Sequence, residues 1–463
     1  MSNSQSQTKY CLIGAGPAGL AAAKSFLEAG IPFDCLERES DIGGTWNIDT
    51  PSGLVYETTH LISSRRFTIF EDFPMPGEGH AFYPHHTVLL KYLKDYAAQF
   101  DLMPHIELGK CVTKVERVGE HWRVQVAGEA RPRLYKGVVI ANGHHSVPRM
   151  PTVPGTFAGE VMHSRDYKSP KQLRDRRIIV VGAGNSGCDI AVDAVHSGAK
   201  VIHSMRRGYW FLPKFILGWP THGAMEYIES VPMPRWLKTR FYEFTMQLLA
   251  GPPERFGLPR PDYHLDQAHP TMGDDVLRLA GHGRITIKPA IDHFEGNKVM
   301  FVDGTTEEAD LVVFATGYKV AYPFLDDRLV LDADGRSRLF LNAFHPEHDT
   351  LFVCGLVQVN GSAWRVADVQ AQLMARYILA SQHDPERARW FRTLMVDSQS
   401  RAGGDNFVAT DRHLFEVNYF DYSKQLKRLI KRFPLAMAPV TSTAEASAGT
   451  LPAATARTID HAA

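Results

Sequence analysis

Two glycine-rich stretches, Gly14 to Gly19 (GAGPAG) and Gly182 to Gly187 (GAGNSG), constrain this chain more than any other feature. Each follows a short apolar run and opens an alanine-rich, helix-like pattern, the strand–turn–helix context in which backbone cradles a phosphate. A chain with two such turns can hold two dinucleotides, so its fold class is α/β with two Rossmann-like dinucleotide-binding domains. The segment between them, Phe157 to Tyr167 (FAGEVMHSRDY), then becomes a hinge or wall where two cofactors meet.

The first unit reads as a strand over Lys9 to Ile13, a helix from Leu20 to Ala29 ending at Gly30, and a strand over Pro32 to Leu36. Glu37 closes that strand 23 residues beyond Gly14, where dinucleotide folds place the carboxylate that binds a ribose hydroxyl pair. Asp41 to Trp46 (DIGGTW) follows, its paired glycines allowing backbone to approach a ligand and its indole able to lie along a flat ring. Thr87 to Phe100 has the apolar spacing of an amphipathic helix, Val112 to Val126 alternates around Gly119 as a hairpin does, and Val138 to Ile140 is a buried strand. Pro148, Pro151 and Pro154 mark a rigid connection and a domain boundary.

The second unit repeats the pattern with strands at Arg177 to Val181 and Lys200 to His203, but Ser204, Met205, Arg206 and Arg207 follow where the first unit has its acid. A carboxylate there would repel a 2′-phosphate, whereas a guanidinium binds it through paired hydrogen bonds, so the second nucleotide reads as NADPH, with NADH kept as an alternative. Tyr209 to His269 is aromatic and proline-rich without a repeat, an insertion that covers a substrate channel or forms a small subdomain of its own. Short strands are expected over Ile285 to Val302, a buried strand over Leu311 to Tyr318 (LVVFATGY) ending in a turn like Ala141 to Gly143, a strand over Leu351 to Gly355, and a helix from about Val366 to Ala380.

The domains implied are 1–160 with 320–440 for the first nucleotide and 161–319 for the second, the insertion spanning about 209–270. The stretch 441–463, rich in Ala, Thr and Ser, cannot offset its ordering entropy and is expected to be disordered. Charge excludes some partners: 51 basic side chains balance 51 acidic ones, which favours neither nucleic acid nor an anionic membrane. The five cysteines all sit in or beside apolar runs, as buried free thiols in a reducing compartment would. No apolar run reaches the length of a membrane span and the N-terminus does not read as a signal peptide, so the cytoplasm is the default location. The histidine pairs His85, His86 and His144, His145 lack a carboxylate or thiol spaced to complete a metal set. Oligomeric state is not legible, and a homo-oligomer stays open.

FAGEVMHSRDY resembles the FxGxxxHxxx(F/Y) fingerprint of the flavin-containing monooxygenases, within the class B flavoprotein monooxygenases; Phe157, Gly159, His163 and Tyr167 stand in the defining places. GAGPAG, GGTW, YPHH, GAGNSG, FATGY and GLVQ also stand in the family's order over about Lys9 to Leu429. Tryptophan at position 167 is typical of the related Baeyer–Villiger enzymes. The resemblance implies a glutathione-reductase-like architecture with FAD on Gly14, Gly16, Pro17, Ala18, Gly19 and Glu37, with Gly44, Thr45, Trp46 and Gln358 near the flavin. It implies NADPH on Gly182, Gly184, Asn185, Ser186 and Gly187, with Ser204 and Arg206 taking the 2′-phosphate, Arg207 the runner-up, and Thr316 and Gly317 joining the cofactor-binding set. In that family NADPH reduces FAD, O2 adds to give a flavin hydroperoxide, and a small-molecule nucleophile takes one oxygen atom at nitrogen or sulfur.

One departure stands out. Typical members carry an asparagine in the loop before the DFP segment, and Tyr56 to Arg66 (YETTHLISSRR) contains none. His60 is the side chain expected to replace it as the catalytic group, with Ser63 and Ser64 behind. Family members with histidine there are associated with ketone oxidation, so Baeyer–Villiger chemistry remains an alternative. The lack of a CxxC pair excludes a disulfide reductase, and the intact glycines, Glu37 and Arg206 argue against a non-catalytic nucleotide-binding regulator.

Overall fold

The structure, a computed structural model, describes residues 8–75, 81–397, 407–408 and 413–433. The first unit is built from β1 (Tyr10–Ile13), α1 (Pro17–Glu28), β2 (Phe33–Leu36), α2 (His86–Gln99), β3 (Ile106–Glu107) and β4 (Gly137–Ile140). The second is built from β5 (Glu160–His163), β6 (Arg177–Val181), α3 (Asn185–His196), β7 (Lys200–Ser204), α4 (Thr221–Ser230), α5 (Arg235–Leu249), β8 (Ile285–Lys288) and β9 (Leu311–Phe314). The chain then returns to the first through β10 (Leu351–Val353), α6 (Ala363–His383), α7 (Pro385–Asp397) and α8 (Tyr419–Ile430).

Both units contain a five-stranded sheet whose neighbours all pair in parallel, in the orders β10-β4-β1-β2-β3 and β5-β9-β6-β7-β8. The strand that ends in a glycine turn is third in each order, flanked by the strand after its helix and by the one that runs into Ala141 or Ala315. The two halves are thus two copies of one Rossmann-like design.

Parallel strands are covered on both faces, so they read as continuous apolar runs. Leu12 packs with Leu20, Phe26, Leu373 and Tyr377 of α1 and α6, whereas its neighbours Cys11 and Ile13 face a cluster containing Trp122, Val124 and Tyr135. The latter side chains belong to a small antiparallel sheet of Val112–Val118, His121–Val126 and Arg133–Tyr135, turned at Gly119 with φ of +61°. In β6, Ile178 and Val180 point towards α3 and Ile179 towards the opposite cluster with Val299 and Phe301. Each fully buried aliphatic side chain of this kind contributes about 1.5–3 kcal/mol.

The structure fills in the insertion and changes one expectation, that for Cys111. The insertion holds two helices, α4 and α5, which its aromatic and proline-rich sequence concealed. Cys111 is exposed at the start of the antiparallel sheet, while Cys11, Cys35, Cys188 and Cys354 are buried thiols. Residues 441–463 lie outside the described residues.

Candidate functional site

The first glycine turn is closed by contacts that leave no room for a side chain. Gly14 has φ of +104°, and a Cβ there would lie 2.7 Å from the carbonyl oxygen of Ala141; one on Gly19 would lie 1.8 Å from that of Gly14. Helix α1 therefore begins hard against the sheet. Its N-cap is Gly16, Pro17 follows, and no side chain caps the helix and no acid stands in its first turn. Orphan N–H groups and the helix dipole at such an end suit a pyrophosphate. Ala18 lies beneath Gly355, whose Cβ, if present, would be 3.0 Å from that of Ala18.

Gly44 approaches from the DIGGTW segment so closely that a Cβ on it would stand 3.1 Å from the Cα of Gly16. The adjoining carbonyl of Thr45 accepts N–H bonds from Leu54 at 2.9 Å and Val55 at 3.3 Å, and Trp46 meets Trp364 edge-on at 5.5 Å. Glu37 is buried and accepts from the N–H of Ala15 at 2.6 Å and of Glu39 at 2.9 Å. Those donors fix the carboxylate beside the turn. Gln358 pairs in parallel with Glu416.

The second turn repeats this construction. Gly182 has φ of +110°; a Cβ there would lie 2.5 Å from the carbonyl oxygen of Ala315, and one on Gly187 1.9 Å from that of Gly182. Gly184 is the N-cap of α3, again with neither side-chain cap nor acid in the first turn. Asn185 Oδ1 accepts the Met272 N–H at 2.8 Å, and Ser186 is exposed. Ser204 is buried and its hydroxyl donates to the Pro289 carbonyl at 2.7 Å, while Arg206 is exposed. Arg207 is engaged by Asp262 at 2.6 Å and lies over the Tyr263 ring at 4.9 Å. Of the three candidates, Arg206 is the one that faces solvent, and the Ser204 hydroxyl is spent inside the fold. Thr316 donates to the Arg149 carbonyl, and the Gly317 carbonyl accepts from Arg149 N–H at 2.9 Å.

FAGEVMHSRDY stitches the two units together. Phe157 packs on Phe294 at 5.1 Å, and a Cβ on Gly159 would lie 2.7 Å from the Asp310 carbonyl oxygen. His163 Nδ1 accepts the Arg165 N–H at 3.1 Å, which leaves Nε2–H to donate to the Gly317 carbonyl at 3.1 Å. Burial lowers its pKa, holding this neutral tautomer. Tyr167 is buried and donates to Asp193 at 2.8 Å. The chain then fastens to the loop of the first unit: Glu57 N–H donates to the Lys168 carbonyl at 2.8 Å and Ser169 to Glu57 at 2.7 Å.

That loop carries His60, which is exposed, pairs with His85 in an isolated bridge and bonds through Nδ1 to the Thr58 carbonyl at 2.9 Å. A carbonyl partner requires the proton on Nδ1, so neutral His60 offers a lone pair at Nε2. Ser64 is buried at the start of a short helical turn, and Ser63 shares a hydrogen bond with Thr68 at 2.6 Å. His144 is half-buried, which lowers its pKa, and bonds to the Gly355 carbonyl at 3.2 Å, while His145 beside it is exposed.

The sequence model of the flavin-binding monooxygenase-like family matches residues 7–440. The chain belongs to that family. It is accordingly a flavin-dependent monooxygenase, an oxidoreductase. The dimethylaniline monooxygenase (N-oxide-forming) 2 of Macaca mulatta is 32% identical over 444 residues, covering 90% of this chain and 82% of the relative. The structure of S-allyl-L-cysteine S-oxygenase from Allium sativum aligns with a TM-score of 0.63 at 20% identity, covering 91% of this chain and 88% of that one. Cyclohexanone monooxygenase from Rhodococcus sp. Phi1, bound to NADP+, aligns with a TM-score of 0.64 at 17% identity over 91% of this chain and 97% of that one.

In this flavin-binding monooxygenase-like chain, a cavity of about 190 Å³ opens between the insertion and the C-terminal segment. Leu212, Met225, Tyr242 and Leu265 line it from the insertion, and Asn360 and Phe420 from the other side. Among the described residues no group of three or more His, Cys, Asp or Glu is arranged to hold a metal, and no helix is long and apolar enough to cross a membrane.

Sequence reasoning missed Asp189 and Asp193. Loss of hydration pushes Asp189 up to about 6 and raises the pKa of Asp193. Their signal was available: two acids four residues apart inside an otherwise apolar helix, NSGCDIAVDAVH, mark a polar stripe on one face.

Proposed function

We propose that this chain is an NADPH- and O2-dependent monooxygenase that places one oxygen atom on the nitrogen or sulfur of a small nucleophile. The observation that carries the reading is the pairing of two sterically closed glycine turns, one with buried Glu37 beside it and one followed by exposed Arg206 and no acid. Residues 1–160 and 320–440 would hold FAD, and 161–319, with the insertion, NADPH. FAD bound at the first turn supplies the redox and oxygen chemistry.

The protein's own contribution is placement and shielding. Gly14, Gly16 and Gly19 admit the pyrophosphate, Glu37 binds the ribose, and Gly44 to Trp46 with Gln358 border the flavin. Gly182 to Gly187 admit the second pyrophosphate and Arg206 takes the 2′-phosphate. The cavity between the insertion and Asn360, two residues beyond Gln358, is the candidate entry for the substrate. A Baeyer–Villiger reading rests on the loop without asparagine, where His60 is the nearest replacement.

Incubating the flavin-loaded protein with NADPH and air in the presence of N,N-dimethylaniline, S-allyl-L-cysteine or cyclohexanone tests both. An N-oxide or sulfoxide in proportion to NADPH consumed supports the first reading, and a lactone the second. NADPH oxidation that yields hydrogen peroxide and no oxygenated product with any of the three overturns both.

A further inference from the structure

Asn185, Asp189 and Asp193 stand four residues apart on α3, so their side chains leave one face of the helix. Each is held by a different part of the molecule. Asn185 accepts from Met272 as described. Asp189 Oδ2 accepts the Tyr56 hydroxyl at 2.7 Å. Asp193 Oδ2 accepts two hydroxyls, Thr58 at 2.5 Å and Tyr167 at 2.8 Å.

Tyr56 and Thr58 belong to one turn, closed by the Thr59 N–H on the Tyr56 carbonyl at 2.9 Å. The same turn is anchored on its other side to the flavin-flanking motif, because the residues just before it, Leu54 and Val55, donate to the Thr45 carbonyl. Tyr56 also packs its ring on Tyr167 at 5.0 Å. Hydrogen bonds at both ends of the short segment Leu54 to Thr58 therefore tie Thr45, through the turn, to the helix that opens behind the second glycine turn.

We propose that Asp189 and Asp193 are positioning residues that couple the two nucleotide sites, so that occupancy of the second glycine turn fixes the Tyr56–Thr59 turn and the His60 beside it. This rests on the reading of Gly182 to Gly187 as a nucleotide site. A phosphate drawing on the N-terminal N–H groups of α3 restrains the whole rigid helix, and its acidic face holds the turn's hydroxyls in place. Two hydroxyl donors on one buried carboxylate oxygen make Asp193 the stronger anchor, since charge-assisted hydrogen bonds are about twice as strong as neutral ones. The arrangement also accounts for tyrosine at position 167, whose hydroxyl reaches the acid that Thr58 shares.

The test is amide hydrogen exchange over residues 54–60 of the flavin-loaded protein, with and without saturating NADP+. It compares the unaltered chain, a Tyr56→Phe/Thr58→Val double variant that deletes both loop hydroxyls without changing shape, and Thr58→Ser, which keeps its hydroxyl. NADP+ should slow exchange of this segment by about fivefold or more in the unaltered chain and in Thr58→Ser, a coupling of ordinary size. The double variant should bind NADP+ by calorimetry yet show no such slowing. A double variant that binds NADP+ and retains the slowing overturns the coupling and leaves the nucleotide reading intact. An unaltered chain that binds no NADP+ overturns both.

Discussion

A Cβ on Gly187 would lie 1.9 Å from the carbonyl oxygen of Gly182, and the matching pair in the other half, Gly19 and Gly14, would approach to 1.8 Å. The third glycine of each turn is thus where helix and strand touch, and no side chain can be accommodated without moving backbone. Gly187→Ala should leave the protein yellow, because the first turn is untouched, while NADPH-driven bleaching of the flavin in the absence of oxygen slows at least tenfold. Stopped-flow absorbance reads this directly. Bleaching at the original rate would show that the second turn does not hold the reductant.

Arg206 and Arg207 are adjacent in sequence but differ in surroundings: one is exposed, the other tied to Asp262 and Tyr263. Losing a charge-assisted pair to phosphate costs about 1.5–3 kcal/mol, or about 10- to 100-fold in affinity. Arg206→Ala should raise the KM for NADPH by that factor and leave the KM for NADH unchanged. Arg207→Ala should have the smaller effect on the ratio. Steady-state kinetics with both reductants decides it.

Glu37 faces two backbone N–H donors, at Ala15 and Glu39. Glu37→Gln removes the charge and can set an amide N–H against one of those donors, leaving buried groups unsatisfied at about 1–3 kcal/mol. The variant should lose flavin on gel filtration, with FAD affinity reduced about tenfold or more in a titration. Full flavin content would place the ribose elsewhere.

Asp368 is buried in α6 and is pushed up to about 6, chiefly by burial; Gln372 donates to one of its oxygens at 2.9 Å, and among the described residues the other has no partner. Because the folded pKa lies above the value near 3.8 that holds without burial, the folded chain retains a proton that the unfolded chain releases between those pH values. Stability from this group therefore falls as pH rises from about 4 to about 6 and stays low above that. Asp368→Asn should raise the melting temperature at pH 8 by about 2 °C or more and give no gain at pH 4, as calorimetry would show. A gain of equal size at both pH values would assign the effect to packing.

What the sequence determined was whatever depends on neighbours along the chain. A positive φ needs glycine at Gly14 and Gly182, and continuous apolar runs need two covered faces, so the paired strand–turn–helix units and Glu37 could be read residue by residue. The shared small-residue turns at Ala141 to Gly143 and Ala315 to Gly317 were legible too, and the structure gives their reason: each alanine carbonyl closes one glycine turn. The tertiary structure decided where side chains end up once distant segments meet. It turned the Ser204 hydroxyl inward to Pro289, left Cys111 at the surface, and folded the insertion into helices that pack on its own Trp210, Leu212 and Leu265 and on Met272 to form a small core. It also joined Tyr56 to Asp189 and Thr58 to Asp193 across 133 and 135 residues. Contacts of that range leave no local pattern, because their partners are chosen by how two separately formed sheets dock.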